Sequence, residues 1–293
     1  MTPNATPLIL VTTAGKIGAE ASRLLAQRGA PVRVLVRNPE KVTALAQAGV
    51  DVCRGDLEVP ATIDAAMHGV TGVLLVSPAI PREELNVVAS AVRARVQHVV
   101  KIMSKASADS PIARRRGQFE IESGLIASGL GYTLLKNNAY MQNFLMMASA
   151  IAETSSFGTA TGDGRIGHVD ARDVAAVAAE IAASAAAHAG KTYWPTGPEV
   201  LSAKDVAAVF SRVLGRTITF HPITVAEQKQ AMLDVGLPEN VAEDNANAVA
   251  LMAEGDCDYV TSDVATILGR PPRSFEQFAT DYAAAFSPTL VAR

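Results

Sequence analysis

Apolar and polar positions in the first half of the chain alternate between two periods. Leu8-Ile-Leu-Val11 is a short, wholly apolar run. After the turn Thr12-Thr-Ala-Gly-Lys-Ile-Gly18, apolar residues recur at helical spacing over 19–28 (Ala21, Leu24, Leu25), and Gly29 closes that segment. The alternation then repeats. Strands are predicted over Val32–Val36, Val50–Cys53, Val73–Val76, His98–Met103 and Tyr132–Leu135. Between them fall helices over Pro39–Ala48, Pro60–His68, Glu83–Arg95 and Gly117–Ala127. Continuous apolar strands separated by amphipathic helices predict a parallel sheet buried on both faces. With right-handed crossovers this is an α/β fold, a Rossmann-like doubly wound parallel sheet whose strand order the sequence leaves open.

Beyond about residue 150 the pattern loosens. Asp173–Ala187 reads as an Ala-rich helix with an acid near its start. Ser202 is placed to cap a helix over Ala203–Leu214 that Gly215 ends, and Thr224 one over Val225–Val235 that Gly236 ends. Ser274-Phe-Glu-Gln277 is a capping-box pattern opening a last helix toward Phe286. Short extended pieces, Lys191–Trp194 and Thr217–Phe220, lie between. The expectation is two domains: 1–150, a dinucleotide-binding Rossmann domain, and 151–293, a smaller C-terminal α/β lobe over the carboxyl edge of the sheet. Part of 165–190 is free to pack back on the first domain.

Composition narrows the function. Of 293 residues, 26 are Lys or Arg and 29 Asp or Glu, a net charge of −3, which argues against nucleic acid as a partner. A hydrophobic share of 49% with 19% charged residues is globular and excludes a disordered chain. Two cysteines, Cys53 and Cys257, provide neither a disulfide framework nor metal-ligand spacing, and fit a reducing, cytoplasmic location. Met1–Pro7 lacks the basic and apolar segments of a signal peptide, and no apolar run reaches the ~18 residues of a membrane span.

The turn after the first strand carries the candidate chemistry. Thr12-x-x-Gly15-x-x-Gly18 joins strand to helix, where free N–H groups and the positive end of the helix dipole suit a pyrophosphate. Gly15 lets the backbone approach phosphate, and Gly18 lets helix and strand pack closely. Thr12, Ala14, Gly15, Lys16, Ile17 and Gly18 are therefore cofactor candidates. Thr12 stands where the fingerprint has its first glycine. The second strand ends in Arg37-Asn-Pro-Glu-Lys41, two cations with no carboxylate at the strand tip. That favours a ribose 2′-phosphate, hence NADP over NAD, although both side chains also suit an ordinary surface. Asp56 and Leu57 follow the third strand and could flank the adenine; Ser77 and Pro78 follow the fourth, toward the nicotinamide ribose.

Further pieces, Lys101-Ile-Met-Ser104, the 117–130 segment, Leu135-Lys-Asn-Asn-Ala-Tyr-Met-Gln-Asn143, His168–Ala175, Thr196-Gly-Pro198 and Gly269–Phe275, carry a family likeness. The chain resembles the NmrA-like branch of atypical short-chain dehydrogenases/reductases, which includes NADPH-dependent quinone reductases and triphenylmethane reductase. The resemblance implies NAD(P) in the N-terminal lobe, substrate between the lobes, and a quinone or related conjugated aromatic small molecule as hydride acceptor. It carries Ser104, Lys136 and Asn137 toward the cofactor and Asn138, Tyr140, Gln142 and Asn143 toward the substrate. Lys136 and Tyr140 are the candidate catalytic groups.

In quinone-reductase-like members Lys136 is an arginine; many relatives also carry a histidine four residues before a helix glutamate, where this chain has Gln118 before Glu122. Two other readings stand: a non-catalytic NAD(P)-sensing regulator, and a tailoring enzyme for an aromatic polyketide-type substrate. A homodimer would suit a soluble reductase of this size.

Tyr132-Thr-Leu-Leu-Lys136 matches the letters of the Tyr-x-x-x-Lys pair of ordinary short-chain dehydrogenases. That pair needs one helix face, where four residues rise ~6 Å. This segment reads as strand, on which four residues span ~13 Å, so the match is accidental. Lys101, inside an apolar strand, suits either a snorkelling or a cofactor-facing role. Arg114-Arg-Arg116 reads as a solvated loop, His168 as structural, and Met141, Met146 and Met147 as packing. Nothing in the sequence suggests a metal site.

Overall fold

The computed structural model describes residues 7–288; of the stretch Met1–Pro7 only Pro7 lies inside the described residues. In chain order the elements are β1 (Leu8–Val11), α1 (Lys16–Gln27), β2 (Val32–Val36), α2 (Thr43–Gln47), β3 (Asp51–Arg54), α3 (Pro60–Ala66), β4 (Val70–Leu75), α4 (Pro81–Arg93), β5 (His98–Met103), α5 (Ala113–Ala127) and β6 (Gly131–Lys136). There follow α6 (Ala148–Thr154), β7 (Ser156–Thr159), β8 (Arg165–Ile166), α7 (Ala171–Ala183), β9 (Lys191–Tyr193), β10 (Leu201–Ser202), α8 (Ala203–Leu214), β11 (Thr219–Pro222), α9 (Val225–Asp234), α10 (Glu239–Ala253), α11 (Asp263–Leu268) and α12 (Phe275–Asp281).

Seven strands form one sheet in the order β3-β2-β1-β4-β5-β6-β9, every pair parallel. The order reverses between β1 and β4, the switch point beside which a doubly wound sheet opens a crevice at its carboxyl edge. Side chains alternate across the sheet. On one face Leu10, Leu35, Leu75, Val99 and Leu134 pack with Ile63 of α3, Val87 and Ala91 of α4 and Leu125 of α5. The opposite face is covered by α1 and α7, which lie against each other, with α7 also on β4 and β5. Val174, Ala175, Val177, Ala178 and Ile181 of α7 are all fully buried; small side chains let this helix sit close.

Two compact units result. The first holds 1–137, 171–195 and 266–269; the second holds 138–170, 196–265 and 270–293. The first unit thus ends its initial run at Asn137, ahead of the expected 150, because the apolar β6 stops at Lys136 and the following residues pack with later segments. Its sheet is completed by α7 and β9, so Lys191–Tyr193, read from sequence as part of a small lobe, is the seventh strand.

Local corrections are modest. Arg114–Arg116 lie in the first turns of α5, not in a loop. The predicted 39–48 helix divides into a 3-10 turn, Pro39–Val42, and α2. The Ala-rich helix stops at Ala183, before a 3-10 turn over Ala185–His188. Tyr132 and Lys136 are on strand β6, as the strand-like Tyr-Thr-Leu-Leu segment predicted.

The second unit has an aromatic core. Six of the chain's eight phenylalanines, Phe144, Phe157, Phe210, Phe275, Phe278 and Phe286, are buried together. Phe144 meets Phe275 edge-on at 5.0 Å, and Phe210 meets Phe275 at 5.3 Å, geometry that places ring edges on ring faces. Ser202, Thr224 and Ser274 each complete a capping box, with Asp205, Glu227 and Gln277 at the third helical position.

Candidate functional site

The first turn of α1 is the centre of the site. Gly15 is its N-cap, in extended backbone, and makes no side-chain cap; no acid stands in the first turn. The opening N–H groups of the helix are therefore left for something other than the chain's own side chains. The two glycines differ in kind. A Cβ at Gly18 would lie 1.9 Å from the Thr13 carbonyl oxygen, so Gly18 is demanded by helix–strand packing. A Cβ at Gly15 would meet only Thr13 Oγ1 at 3.9 Å, and its φ of −68° suits any residue. Packing does not require glycine there; a phosphate approaching the backbone would.

Thr12, the residue in place of the first glycine, is 1% exposed and turned inward. Its Oγ1 donates to the Val76 carbonyl and accepts from the Val76 N–H, both at 2.9 Å. Thr13 Oγ1 donates to the same carbonyl at 2.9 Å. These bonds tie the tip of β1 to the tip of β4, fixing the two sides of the switch point.

Arg37 and Lys41 are exposed, beyond the end of β2, and among the described residues neither has an ion pair. The Glu83 carboxyl is pushed up by burial and by nearby Glu58 and Asp56, with Arg37 and Arg82 pulling the other way. The loops after β2, β3 and β4 therefore converge, bringing Arg37 and Asp56 into one electrostatic neighbourhood. Asp56 is half-buried, one oxygen accepting from the Glu58 N–H at 3.0 Å. The Leu57 side chain is in the aliphatic core, so only its backbone faces outward.

Ser77 is half-buried, Pro78 exposed, and Ala79 holds a left-handed φ of 64°. The Ser77 hydroxyl donates to Glu84, which is itself fully buried and ion-paired to Lys101: Nζ lies 2.7 Å from Oε2 and 3.0 Å from Oε1. Nζ also donates to the Ile102 carbonyl at 2.6 Å. Burial pulls the Lys101 ammonium below the usual lysine range and the Glu84 charge opposes that pull. Neither role expected for Lys101 applies; it anchors the β4–α4 turn from beneath. Two complementary charges at core positions, one in an apolar strand and one in a helix's first turn, were the sequence signal for this pair.

At the ends of β5 and β6, Ser104 is half-buried and Asn137 is tied to the Met103 carbonyl by its backbone N–H at 2.9 Å and by Nδ2 at 3.3 Å. Lys136 Nζ donates to Glu122 Oε1 of α5 at 2.8 Å and lies 5.6 Å from the centre of the Trp194 ring. One turn before Glu122, Gln118 is 3% exposed and its Oε1 has no hydrogen-bond partner among the described residues. Sequence reading missed Glu122 and Trp194 as partners of Lys136, because the contact joins three elements distant in the chain.

The substrate candidates belong to the second unit. Asn138 is buried, its Nδ2 donating to the Cys257 carbonyl at 3.2 Å and its Oδ1 accepting from the Ala139 N–H. Gln142 is buried and donates to Asp170 at 2.9 Å. Both brace this unit. Tyr140 is half-buried and Asn143 exposed. His168 is buried against Phe144 and Phe275, and desolvation lowers its pKa to about 4 against a weaker pull from the Ala139 backbone. Among the described residues no cluster of His, Cys, Asp or Glu could hold a metal, and no helix is long and apolar enough to cross a membrane.

A parallel sheet with a 3-2-1-4-5-6 core, a glycine turn at its switch point and an uncapped helix behind that turn define the class: a Rossmann-like α/β fold. The NmrA-like family model matches residues 5–279, and the chain belongs to that family. The NAD(P)H azoreductase of Xenophilus azovorans is 36% identical over 283 residues, covering 95% of this chain and 99% of that protein. The (4-alkanoyl-5-oxo-2,5-dihydrofuran-3-yl)methyl phosphate reductase of Streptomyces griseus is 36% identical over 288 residues, covering 96% and 100%. Among solved structures, an NADPH-dependent quinone oxidoreductase from Escherichia coli in complex with NADPH superposes with a TM-score of 0.85 at 28% identity, covering 94% of this chain and 99% of that one.

Proposed function

We propose that this protein is an NADPH-dependent reductase that passes hydride to a planar, electron-poor conjugated acceptor of quinone or azo type. The observation that carries the reading is the open first turn of α1 behind Gly15, at the switch point between β1 and β4. The N–H groups of 15–18 would hold the pyrophosphate. Arg37 and Lys41, exposed and without ion-pair partners, would take the ribose 2′-phosphate, and a planar guanidinium grips phosphate oxygens in pairs. Asp56 and the Leu57 backbone would border the adenine. Ser77, whose proton is committed to Glu84, is left as an acceptor for a ribose hydroxyl. Bound there, the reduced nicotinamide supplies a hydride; the chain's part is to hold donor and acceptor in contact and exclude competing water. The names of the relatives supply the acceptor class: an azoreductase, a quinone oxidoreductase and a reductase of a conjugated butenolide.

The test is direct. Mixed with NADPH and a panel of quinones and azo dyes, the protein should bleach the nicotinamide absorbance well above the protein-free rate. Replacing Arg37→Ala should weaken NADPH by about tenfold or more while changing NADH affinity less than about twofold, the loss of one charge-assisted phosphate contact. Equal losses for both coenzymes would overturn the 2′-phosphate assignment, and tight NADPH binding with no turnover on any acceptor would favour the regulator.

A further inference from the structure

We propose that Lys136, held by Glu122 beside the Trp194 indole, is a proton donor that enables this chain to reduce azo bonds as well as quinones. The inference rests on the reductase reading above and adds to it the residue that makes the azo half of that acceptor class reducible.

The three groups come from β6, α5 and the segment after β9, all at the carboxyl edge of the sheet. Lys136 and Glu122 keep 13% and 16% of their side-chain exposure, so the pair is sheltered without being sealed. Lys136 Nζ stands 2.8 Å from Glu122 Oε1 and 5.6 Å from the indole centre, a carboxylate on one side and an aromatic ring on the other. The neighbouring titratable groups are committed elsewhere. Lys101 of β5 is bound to Glu84, and Tyr193 of β9 meets His188 Nδ1 at 2.8 Å. Arg115 lies two turns from Glu122 on α5. Gln118, between them at helical spacing, offers a buried carbonyl oxygen without a partner among the described residues, an acceptor suited to a ligand N–H or O–H.

The chemistry separates the two acceptors. Hydride addition to a quinone leaves a hydroquinone oxygen about as basic as a tyrosine phenolate, pKa ~10, which water can protonate afterwards. Hydride addition to one azo nitrogen drives the N=N π pair onto the other, and that nitrogen is far more basic. It must gain its proton within the step. An N–H bond of the Lys136 ammonium breaks as the new N–H bond forms, giving the hydrazine R–NH–NH–R′, oxidised nicotinamide and a neutral lysine that solvent reprotonates. An arginine could not do this, because a guanidinium does not release its proton in a protein. Glu122 is the positioning residue: its carboxylate holds Nζ in place.

Two measurements test it. The first is the ratio of azo to quinone turnover, which cancels any change in cofactor affinity. Lys136→Arg should lower that ratio by about a hundredfold, the range of a lost general acid. The second needs no cofactor. Trp194 is the chain's one tryptophan, so its fluorescence reports the charge beside it. At fixed pH, Lys136→Arg and Glu122→Gln should each change the emission of that indole, the first by replacing the ammonium beside it and the second by releasing Nζ from its place. Should Lys136→Arg fail to fold, Glu122→Gln alone should reduce the ratio and change the emission. An unchanged ratio, or a wild-type protein that reduces quinones but no azo dye, overturns the proposal and leaves the reductase reading standing. A wild-type protein inert to both classes overturns that reading as well.

Discussion

The start of α1 and the starts of α8, α9 and α12 treat the same unpaired backbone groups in opposite ways. In the second unit Ser202, Thr224 and Ser274 close three helices, each box satisfying two amides with the side chains of the cap and the third helical residue. In the first unit α1 begins at Gly15 with no capping side chain and no acid in its first turn. An uncapped start is not peculiar to α1, since α3, α4 and α5 also begin without a side-chain cap; what sets α1 apart is its place at the switch point, behind a glycine that packing does not need. That placement is what the proposed phosphate site rests on. The cores differ in parallel: aliphatic and layered in the first unit, a nest of aromatic rings in the second.

The sharpest way to break this comparison is to treat the two loop glycines separately. Gly18→Ala should cost on the order of 4 kcal/mol and abolish NADPH binding, since its Cβ would collide with the Thr13 carbonyl. Gly15→Ala should leave the denaturation midpoint unchanged or slightly raised while weakening NADPH tenfold or more in calorimetry. If Gly15→Ala binds NADPH normally, the open turn is not the phosphate site. Next in size is a pH effect confined to the aromatic unit. His168 is neutral in the fold, with a pKa of about 4, but titrates near its ordinary 6.5 when unfolded. Its contribution is fully present above pH 6.5 and is lost as pH falls toward 4, by about 3 kcal/mol. Urea titrations of wild type and His168→Asn across that window should show the loss shrinking in the variant. The smallest effect tests the closed helices: Ser202→Ala or Ser274→Ala should cost about 1 kcal/mol and leave NADPH affinity untouched.

Much of the first unit was legible because burial on both faces of a parallel sheet imposes a simple code. Every strand from Leu8 to Leu135 was found within two or three residues of its place. The capping boxes were equally readable, since their chemistry is local. What failed was non-local or weakly patterned. Nothing in Lys191–Tyr193 announces that it joins β6 across more than fifty residues. Helix α10 went unseen because its buried positions, Ala242, Ala246 and Ala248, are small and give little contrast with its polar face. The glycine turn was readable as the junction of β1 and α1. Nothing local in the sequence, however, showed that Thr12 faces inward, that Glu84 waits under Ser77, or that Asn138 and Gln142 brace their own unit.

The late arrival of α7 and β9 bears on how this chain is made. Six strands of the sheet leave the ribosome first, yet one flank of that sheet stays greasy until residues 171–183 emerge, and its edge stays bare until Tyr193. A nascent polypeptide stopped near residue 150 would present a sticky half-built layer to chaperones. A fragment cut after β6 would lack α7 and β9, which belong to the first unit together with 266–269.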